Sequence, residues 1–271
     1  MKVTSRTDIA GEEAKFHDIW ANSIKVEELD IYSAFSAPTT PEYRYALSLL
    51  GDLSGRQLLD LGCGAGESSA FFASQEAKVT AVDISGKMLE LTQKLARLWR
   101  LGDQVQPAQM NAEILAFPEA TFDLIFGNSV LHHIDLKDAG GEIARVLKPG
   151  GKAVFLEPLA YNPVIEVYRR MARGVRTPTE HPLVYDDLEV LRRHFTVTHE
   201  NFQLCTLAIF LWFFVGQRVL PNQERYWKKI VHEGEQYRAA FERLYALDRF
   251  LFRWLPFLKR LCWVIVIDCQ K

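Results

Sequence analysis

Apolar and polar positions follow two rhythms along the chain. Between residues 57 and 157, short apolar runs alternate with longer segments of helical spacing, a pattern typical of a parallel sheet covered by helices on both faces. Strands are predicted at 57–61, 78–82, 104–110, 122–127 and 152–157, and two more near 195–202 and at 263–268. Pro107 cannot donate a ladder hydrogen bond, so the third strand is expected at an edge of the sheet.

The flanking segments predict additions to this core. Apolar side chains between 12 and 35 recur at helical spacing, which fits a lid over a ligand and fits ordinary core packing equally well. The predicted organisation is a helical lid at 1–45, a core at 46–203 with a proline-broken substrate loop at 158–184, a helical insertion at 204–260, and a final core strand at 261–271.

The insertion between the last two strands is apolar and then basic. Leu204–Val215 carries no charge but is shorter than the ~20 residues that span a bilayer, so it is interpreted as a buried helix or cavity wall. Its Phe210, Phe213 and Phe214 are predicted to line an apolar chamber for a substrate. Residues 249–260 interleave cations with bulky apolar side chains, which fits an amphipathic cap or a peripheral membrane contact.

The most informative local motif is the glycine-rich turn after the first predicted strand, Gln-Leu-Leu-Asp-Leu-Gly-Cys-Gly-Ala-Gly-Glu at 57–67. Glycines let backbone N–H groups approach a ligand, and Asp83, which ends the next strand, stands where a carboxylate meets ribose hydroxyls. Dinucleotide spacing would place glycine at 67, whereas Glu67 would repel a pyrophosphate from the helix N-terminus. A nucleoside with a positive centre and no phosphate, such as S-adenosylmethionine, tolerates that carboxylate.

Five ordered blocks extend this motif. They are Leu58–Glu67, Val82–Ser85 with Met88, Phe122–Ile125, Leu131–His133 and Arg145–Gly151. Over roughly residues 40 to 160 the chain therefore resembles the class I S-adenosylmethionine-dependent methyltransferases of small-molecule type. The resemblance implies a Rossmann-like α/β fold with a seven-stranded, mostly parallel sheet and helices on both faces.

The resemblance also implies which residues hold the cofactor S-adenosylmethionine and its product S-adenosylhomocysteine. Asp60 would orient the loop and the amino group, the backbone of the glycine loop would face the cofactor, and Asp83 would bind the ribose. The full expected set is Asp60, Gly62, Cys63, Gly64, Asp83, Ile84 and Met88 beside the adenine, Asn111 and Ala112 at its amine, and Asn128 at the methyl-transfer end.

Composition narrows the function classes. A net charge of −2 and a pI near 6.4 argue against a nucleic-acid partner, and the polar N-terminus predicts a cytoplasmic protein, with peripheral membrane contact as the variant. The four cysteines show no metal-binding spacing, so no metal is expected. Asn128 is not followed by the Pro-Pro-aromatic motif of base-flipping amino-methyltransferases.

The catalytic candidates are His181, Glu157 and His133. Glu157 ends the fifth strand, where open α/β sheets place ligands, and His181 lies in the proline-broken loop with Arg169, Arg173 and Arg176. In the family that the chain resembles, the pair of histidines after strand four braces the following helix, so bracing is the favoured interpretation of His132 and His133. The expected activity is methyl transfer to a small, partly apolar metabolite, with an oxygen acceptor ahead of nitrogen or carbon. Alternatives are a non-catalytic S-adenosylmethionine-binding subunit, a lipid-directed methyltransferase at a membrane surface, a nicotinamide oxidoreductase, and a protein or RNA methyltransferase.

Overall fold

The structure is a computed structural model that describes residues 6–172, 177, 180–222 and 224–271. Arg173 and Arg176 of the predicted substrate loop, and residues 1–5 of the predicted lid, lie outside the described residues.

The described residues form a seven-stranded sheet of order β3-β2-β1-β4-β5-β7-β6. Its strands are β1 Gln57–Leu61, β2 Lys78–Asp83, β3 Val105–Gln109, β4 Phe122–Asn128, β5 Leu147–Pro158, β6 Thr196–Phe202 and β7 Val264–Gln270. Neighbours from β3 to β5 run parallel, and β7 runs antiparallel to both β5 and β6. The predicted Rossmann-like fold is confirmed, and β3, which contains Pro107, lies at the sheet edge as expected.

Helices cover both faces of the sheet. They are α1 Arg6–Ala21, α2 Ser33–Ser36, α3 Pro41–Leu50, α4 Glu67–Ser74, α5 Gly86–Leu98, α6 Leu136–Val146, α7 Pro163–Met171 and α8 Tyr185–Arg192. Successive strand residues alternate between two core layers: Leu58 packs with α3, α4 and α5, while Leu59 packs with α6 and α8. The two layers together fix the carboxyl ends of β1, β2, β4 and β5 along one edge.

The insertion between β6 and β7 contains α9 Ala208–Val215, α10 Tyr226–His232, α11 Gly234–Trp254 and a 3-10 turn Pro256–Leu261. Buried Asp248 of α11 holds the first residues of the insertion in place. The backbone N–H groups of Leu204 and Cys205 donate to the Asp248 carboxylate at 3.1 and 2.7 Å. None of the described helices combines the length and apolarity needed to cross a bilayer.

The apolar run of the insertion differs from its prediction. Phe210 and Phe213 are buried in a separate cluster with Tyr226, Tyr237 and Phe241, while Phe214 is 40% exposed. None of the described residues from 204 to 215 lines the large cavity beside the sheet. The expectation that this run walls the substrate chamber is therefore wrong, because its apolar side chains pack on α10 and α11 or face outward.

Candidate cofactor and acceptor site

A large cavity of about 800 Å³ lies at the carboxyl edge of β1, β2, β4 and β5. Its floor is the glycine loop with the ends of the strands, and its roof and walls come from α1, the start of α3, α7 and α10. The volume is near the upper end of the ~300–1,000 Å³ typical of ligand sites, so it has room for a cofactor and a second molecule.

The glycine loop is shaped by three glycines in the left-handed region, with φ of +71° at Gly62, +55° at Gly64 and +90° at Gly66. A Cβ at Gly62 would lie 2.7 Å from Val130 and one at Gly66 2.7 Å from Thr92, so the fold itself requires these two glycines. A Cβ at Gly64 would meet nothing within 4 Å. Gly64 therefore faces the open space where a ligand would pass.

Asp83 is fixed at the centre of this floor. Its carboxylate accepts hydrogen bonds from the backbone N–H of Gly64 and of Ser85, both at 2.9 Å. Burial raises the pKa of Asp83, and the two backbone donors work against that rise. A carboxylate offers about four acceptor positions, so Asp83 keeps capacity to accept from a ribose hydroxyl.

Asp60 lies one strand away, buried, and accepts from the Ser69 hydroxyl at 2.5 Å. Burial raises the pKa of Asp60 to about 7, the Ser69 hydrogen bond lowers it, and the Asp83 charge raises it further. A cationic group beside Asp60 would favour the ionised form, which suits the amino group of an amino-acid moiety.

Most of the other expected cofactor residues line the cavity, and one does not. Cys63, Ile84, Ala112 and Asn128 line the cavity together with Asn111, whose side-chain oxygen already accepts the backbone N–H of Glu113 at 2.9 Å. Asn128 donates to the hydroxyl of Tyr43 at 2.8 Å. Met88 of α5 is fully buried in the core and does not line the cavity, so the structure does not place its side chain beside a bound adenine.

Glu157 is committed to internal contacts. One carboxylate oxygen accepts the backbone N–H groups of Val130 and Leu131 at 2.8 and 2.7 Å, and the other contacts His132 Nδ1 at 2.7 Å. The second ring nitrogen of His132 lies 3.1 Å from Glu180. Burial alone would lower the pKa of His132, but the two carboxylates outweigh burial and raise it to about 9, so the ring is an imidazolium between two carboxylates.

This triad makes Glu157 a brace for the turn after β4. The pair His181 and His133 lines the cavity, and the backbone N–H of His181 donates to the His132 carbonyl at 3.1 Å. All three catalytic candidates thus line the cavity, but both oxygens of the Glu157 carboxylate already contact protein groups.

Several cavity residues lie outside the set expected from sequence. Glu13, His17 and Trp20 come from α1, and Arg225 and Lys228 come from the start of α10. The Arg225 guanidinium lies 3.8 Å from the centroid of the Trp20 ring, and the Lys228 ammonium 5.5 Å from it. The helical spacing of residues 12–35 and the basic bias of the insertion were the available signals, but neither specified which face meets a ligand.

Comparison with known proteins identifies the domain. Residues 59–155 match the family model described as "Methyltransferase domain". Residues 59–155 form a class I methyltransferase domain. This confirms the resemblance carried by the five blocks.

A similar curated relative is the ubiquinone/menaquinone biosynthesis C-methyltransferase UbiE of Shewanella piezotolerans, 36% identical over 118 residues, which are 42% of this chain and 47% of that protein. The chain thus spans about half the length of the curated relatives it matches.

Two solved structures have a similar fold. Geranyl diphosphate C-methyltransferase from Streptomyces coelicolor A3(2) is 17% identical with a TM-score of 0.55, over 85% of this chain and 75% of that one. The [4+2]-cyclase SpnF is 21% identical with a TM-score of 0.54, over 84% and 80%. At these identities the likeness concerns the fold alone.

Proposed function

We propose that the chain is an S-adenosylmethionine-dependent methyltransferase acting on a small molecule. The observation that carries the proposal is Asp83, held by Gly64 and Ser85 at the carboxyl edge of the sheet with acceptor positions directed to the cavity. The open space over Gly64 and the carboxylate of Asp60 fit a cationic nucleoside in the same floor. When bound, the cofactor supplies a methyl group activated on a sulfonium.

Carbon is the acceptor atom that we propose, in place of the oxygen favoured by the sequence. The UbiE relatives and the geranyl diphosphate enzyme are both named as C-methyltransferases, which supports this choice. A carbon acceptor must lose a proton when it is alkylated, and His181 at the cavity lining is the candidate base. Glu157 would act only as the brace of the turn behind it.

The proposed substrate is a partly apolar molecule with an anionic group. The roof contributes apolar surface from Trp20, Ile165 and Tyr168, beside the cations Arg225 and Lys228. Burial lowers the pKa of Lys228, and the neighbouring Arg225 lowers it further. Two cations held together in a partly dry wall favour a carboxylate or phosphate of the substrate, and geranyl diphosphate in the similar structure has this character.

The proposal is tested by binding of S-adenosylhomocysteine to an aspartate variant. Asp83→Asn removes the charge of the carboxylate that accepts from the ribose hydroxyls, which weakens two charge-assisted hydrogen bonds of ~1.5–3 kcal/mol each. We therefore expect calorimetry to show at least tenfold weaker binding of S-adenosylhomocysteine. The matched control is Asp123→Asn: its carboxylate accepts from Gln57 and Lys148 at the opposite edge of the sheet. Equal effects of the two substitutions would contradict the proposed site.

A lipid-directed enzyme is the second candidate, favoured by the exposed end of the insertion. Trp254 and Phe257 are 66% and 64% exposed beside exposed Arg253. The Trp254→Ser/Phe257→Ser double variant should no longer co-sediment with anionic vesicles. The control Ile114→Ser, which alters another exposed apolar residue, should still co-sediment. Wild-type protein that stays in the supernatant would exclude this candidate and leave the small-molecule enzyme.

A further inference from the structure

The roof of the cavity brings together a carboxylate and two imidazoles. Glu13 and His17 lie one turn apart on α1 and therefore on the same face of the helix, and His133 follows β4. All three line the cavity. More than a hundred residues of sequence separate His17 from His133, so their meeting is a product of the tertiary structure.

Their donor atoms have the separations of a metal-ligand set. His133 Nδ1 lies 3.3 Å from Glu13 Oε1, and His17 Nε2 lies 3.6 Å from Glu13 Oε2. One donor atom from each residue lies within 4.8 Å of the other two. Two ligands at ~2.1 Å from an ion, at tetrahedral or octahedral angles, are about 3.0–3.4 Å apart, so small rotamer adjustments would bring the three atoms onto one ion.

The cluster is partly buried and positioned in advance, with Glu13 buried and the two histidines half-buried. The side chain of Glu13 is 6% exposed, and His133 Nδ1 is buried without a hydrogen bond to any described residue. The next residue on α1, Asp18, accepts from the Ser85 hydroxyl at 2.6 Å and from the Lys87 backbone at 3.2 Å, which fixes α1 on α5. Ordering costs for His17 and Glu13 are thereby reduced before any ion binds.

A neighbouring set of His132, His133 and Glu180 is the competing possibility. It is less suited to an ion because both ring nitrogens of His132 already contact carboxylates, Glu157 at 2.7 Å and Glu180 at 3.1 Å. In the α1 set, His133 Nδ1 makes no hydrogen bond to a described residue, and the Glu13 carboxylate that lies 3.3 Å from it is itself a member of the set.

We propose that Glu13, His17 and His133 bind a divalent transition-metal cation in the roof of the cavity. Two imidazoles and one carboxylate suit zinc, cobalt, nickel or iron better than magnesium or calcium, which prefer oxygen ligands. Three protein ligands leave at least one coordination position toward the cavity for water or an oxygen of the acceptor. In this arrangement His133 is a ligand, and the proposal holds whether or not the chain transfers a methyl group.

The test is a cobalt titration of untagged, chelator-treated protein followed by visible absorption, with zinc displacement measured by calorimetry. We expect one Co²⁺ per chain, displaced by Zn²⁺, with affinity at least tenfold weaker in Glu13→Gln and in His17→Gln. His194→Gln, a histidine that packs against Gly140 away from the cavity, should bind like the wild type.

Melting temperatures and far-UV circular dichroism establish that each variant is folded. If Glu13→Gln does not fold, His17→Gln alone decides, since its side chain is 23% exposed and tolerates polar replacement. Stoichiometric binding that survives both substitutions, loss of binding in Glu180→Gln instead, or a wild type that binds no Co²⁺ would each overturn the proposal.

Discussion

The floor and the roof of the cavity are built in different ways. The floor uses backbone groups and short side chains at the ends of adjacent parallel strands, and one run of sequence from Asp60 to Asp83 supplies the glycine loop and two buried carboxylates. The roof uses long side chains such as Trp20 and Lys228, presented by α1 and α10 from opposite ends of the chain. The comparison suggests that the floor is specialised for the common cofactor and the roof for the particular acceptor.

The floor and the roof are also stabilised by different hydrophobic clusters. Floor residues are part of the two core layers that cover the sheet, whereas α10 packs on a smaller, separate cluster around Phe213, Tyr226 and Phe241. The roof therefore depends on a local core that can be damaged with the sheet intact. Variants of the floor and of the roof test this separation.

The largest expected effect is in the roof core. Phe213 is fully buried, so Phe213→Ala should cost about 3–5 kcal/mol of unfolding free energy, a fall in melting temperature of at least about 6 °C. The control Phe214→Ala, at a 40% exposed neighbour, should stay within about 0.5 kcal/mol. A stable Phe213→Ala variant that only admits bulkier substrates would restore Phe213 to the chamber wall.

A smaller effect should separate the two ligands. With S-adenosylhomocysteine saturating, inorganic diphosphate serves as a probe of the cationic wall, and Lys228→Gln should weaken its binding about tenfold, ~1.4 kcal/mol. Lys229→Gln is the matched control, because Lys229 contacts Glu224 and Glu233 outside the cavity. A loss of S-adenosylhomocysteine affinity in Lys228→Gln would instead assign this cation to the cofactor carboxylate.

The smallest effect is a pH dependence in the floor. The pKa of Asp60 is about 7 in the free protein, and a bound ammonium group would lower it, so binding releases a proton near pH 7. Affinity for S-adenosylhomocysteine should thus be greatest above pH 7 and fall as the pH drops below it. Calorimetry in two buffers of different ionisation enthalpy measures the proton, and Asp60→Asn should abolish the release.

Sequence predicted the floor well because its geometry is local. Glycines with positive φ, an acid at a strand end and a proline that bars a central strand each act within a few residues. The residues of the roof could not be predicted from the sequence, since the same helical spacing in α1 places Ala21 in the core and His17 in the cavity. The prediction for the apolar run of α9 is wrong for the same reason. Its apolar side chains must be buried, but the sequence does not specify whether a substrate or the helices α10 and α11 bury them.

The role of the Glu157 carboxylate could not be predicted from the sequence either. Its position at the end of β5 is where α/β sheets place ligands, yet its oxygens accept two backbone N–H groups and contact His132. Only the tertiary structure distinguishes a carboxylate that meets a substrate from one that braces a turn.

The most direct test of the division between floor and roof is a crystal structure of the wild-type protein with S-adenosylhomocysteine. We expect both ribose hydroxyls to contact Asp83 and the adenine to lie beside Ile84 and Asn111. The sulfur should face the volume below Arg225, which stays open for an acceptor. A cofactor bound with its adenosine against α10, or one that fills the space below Arg225, would contradict this division.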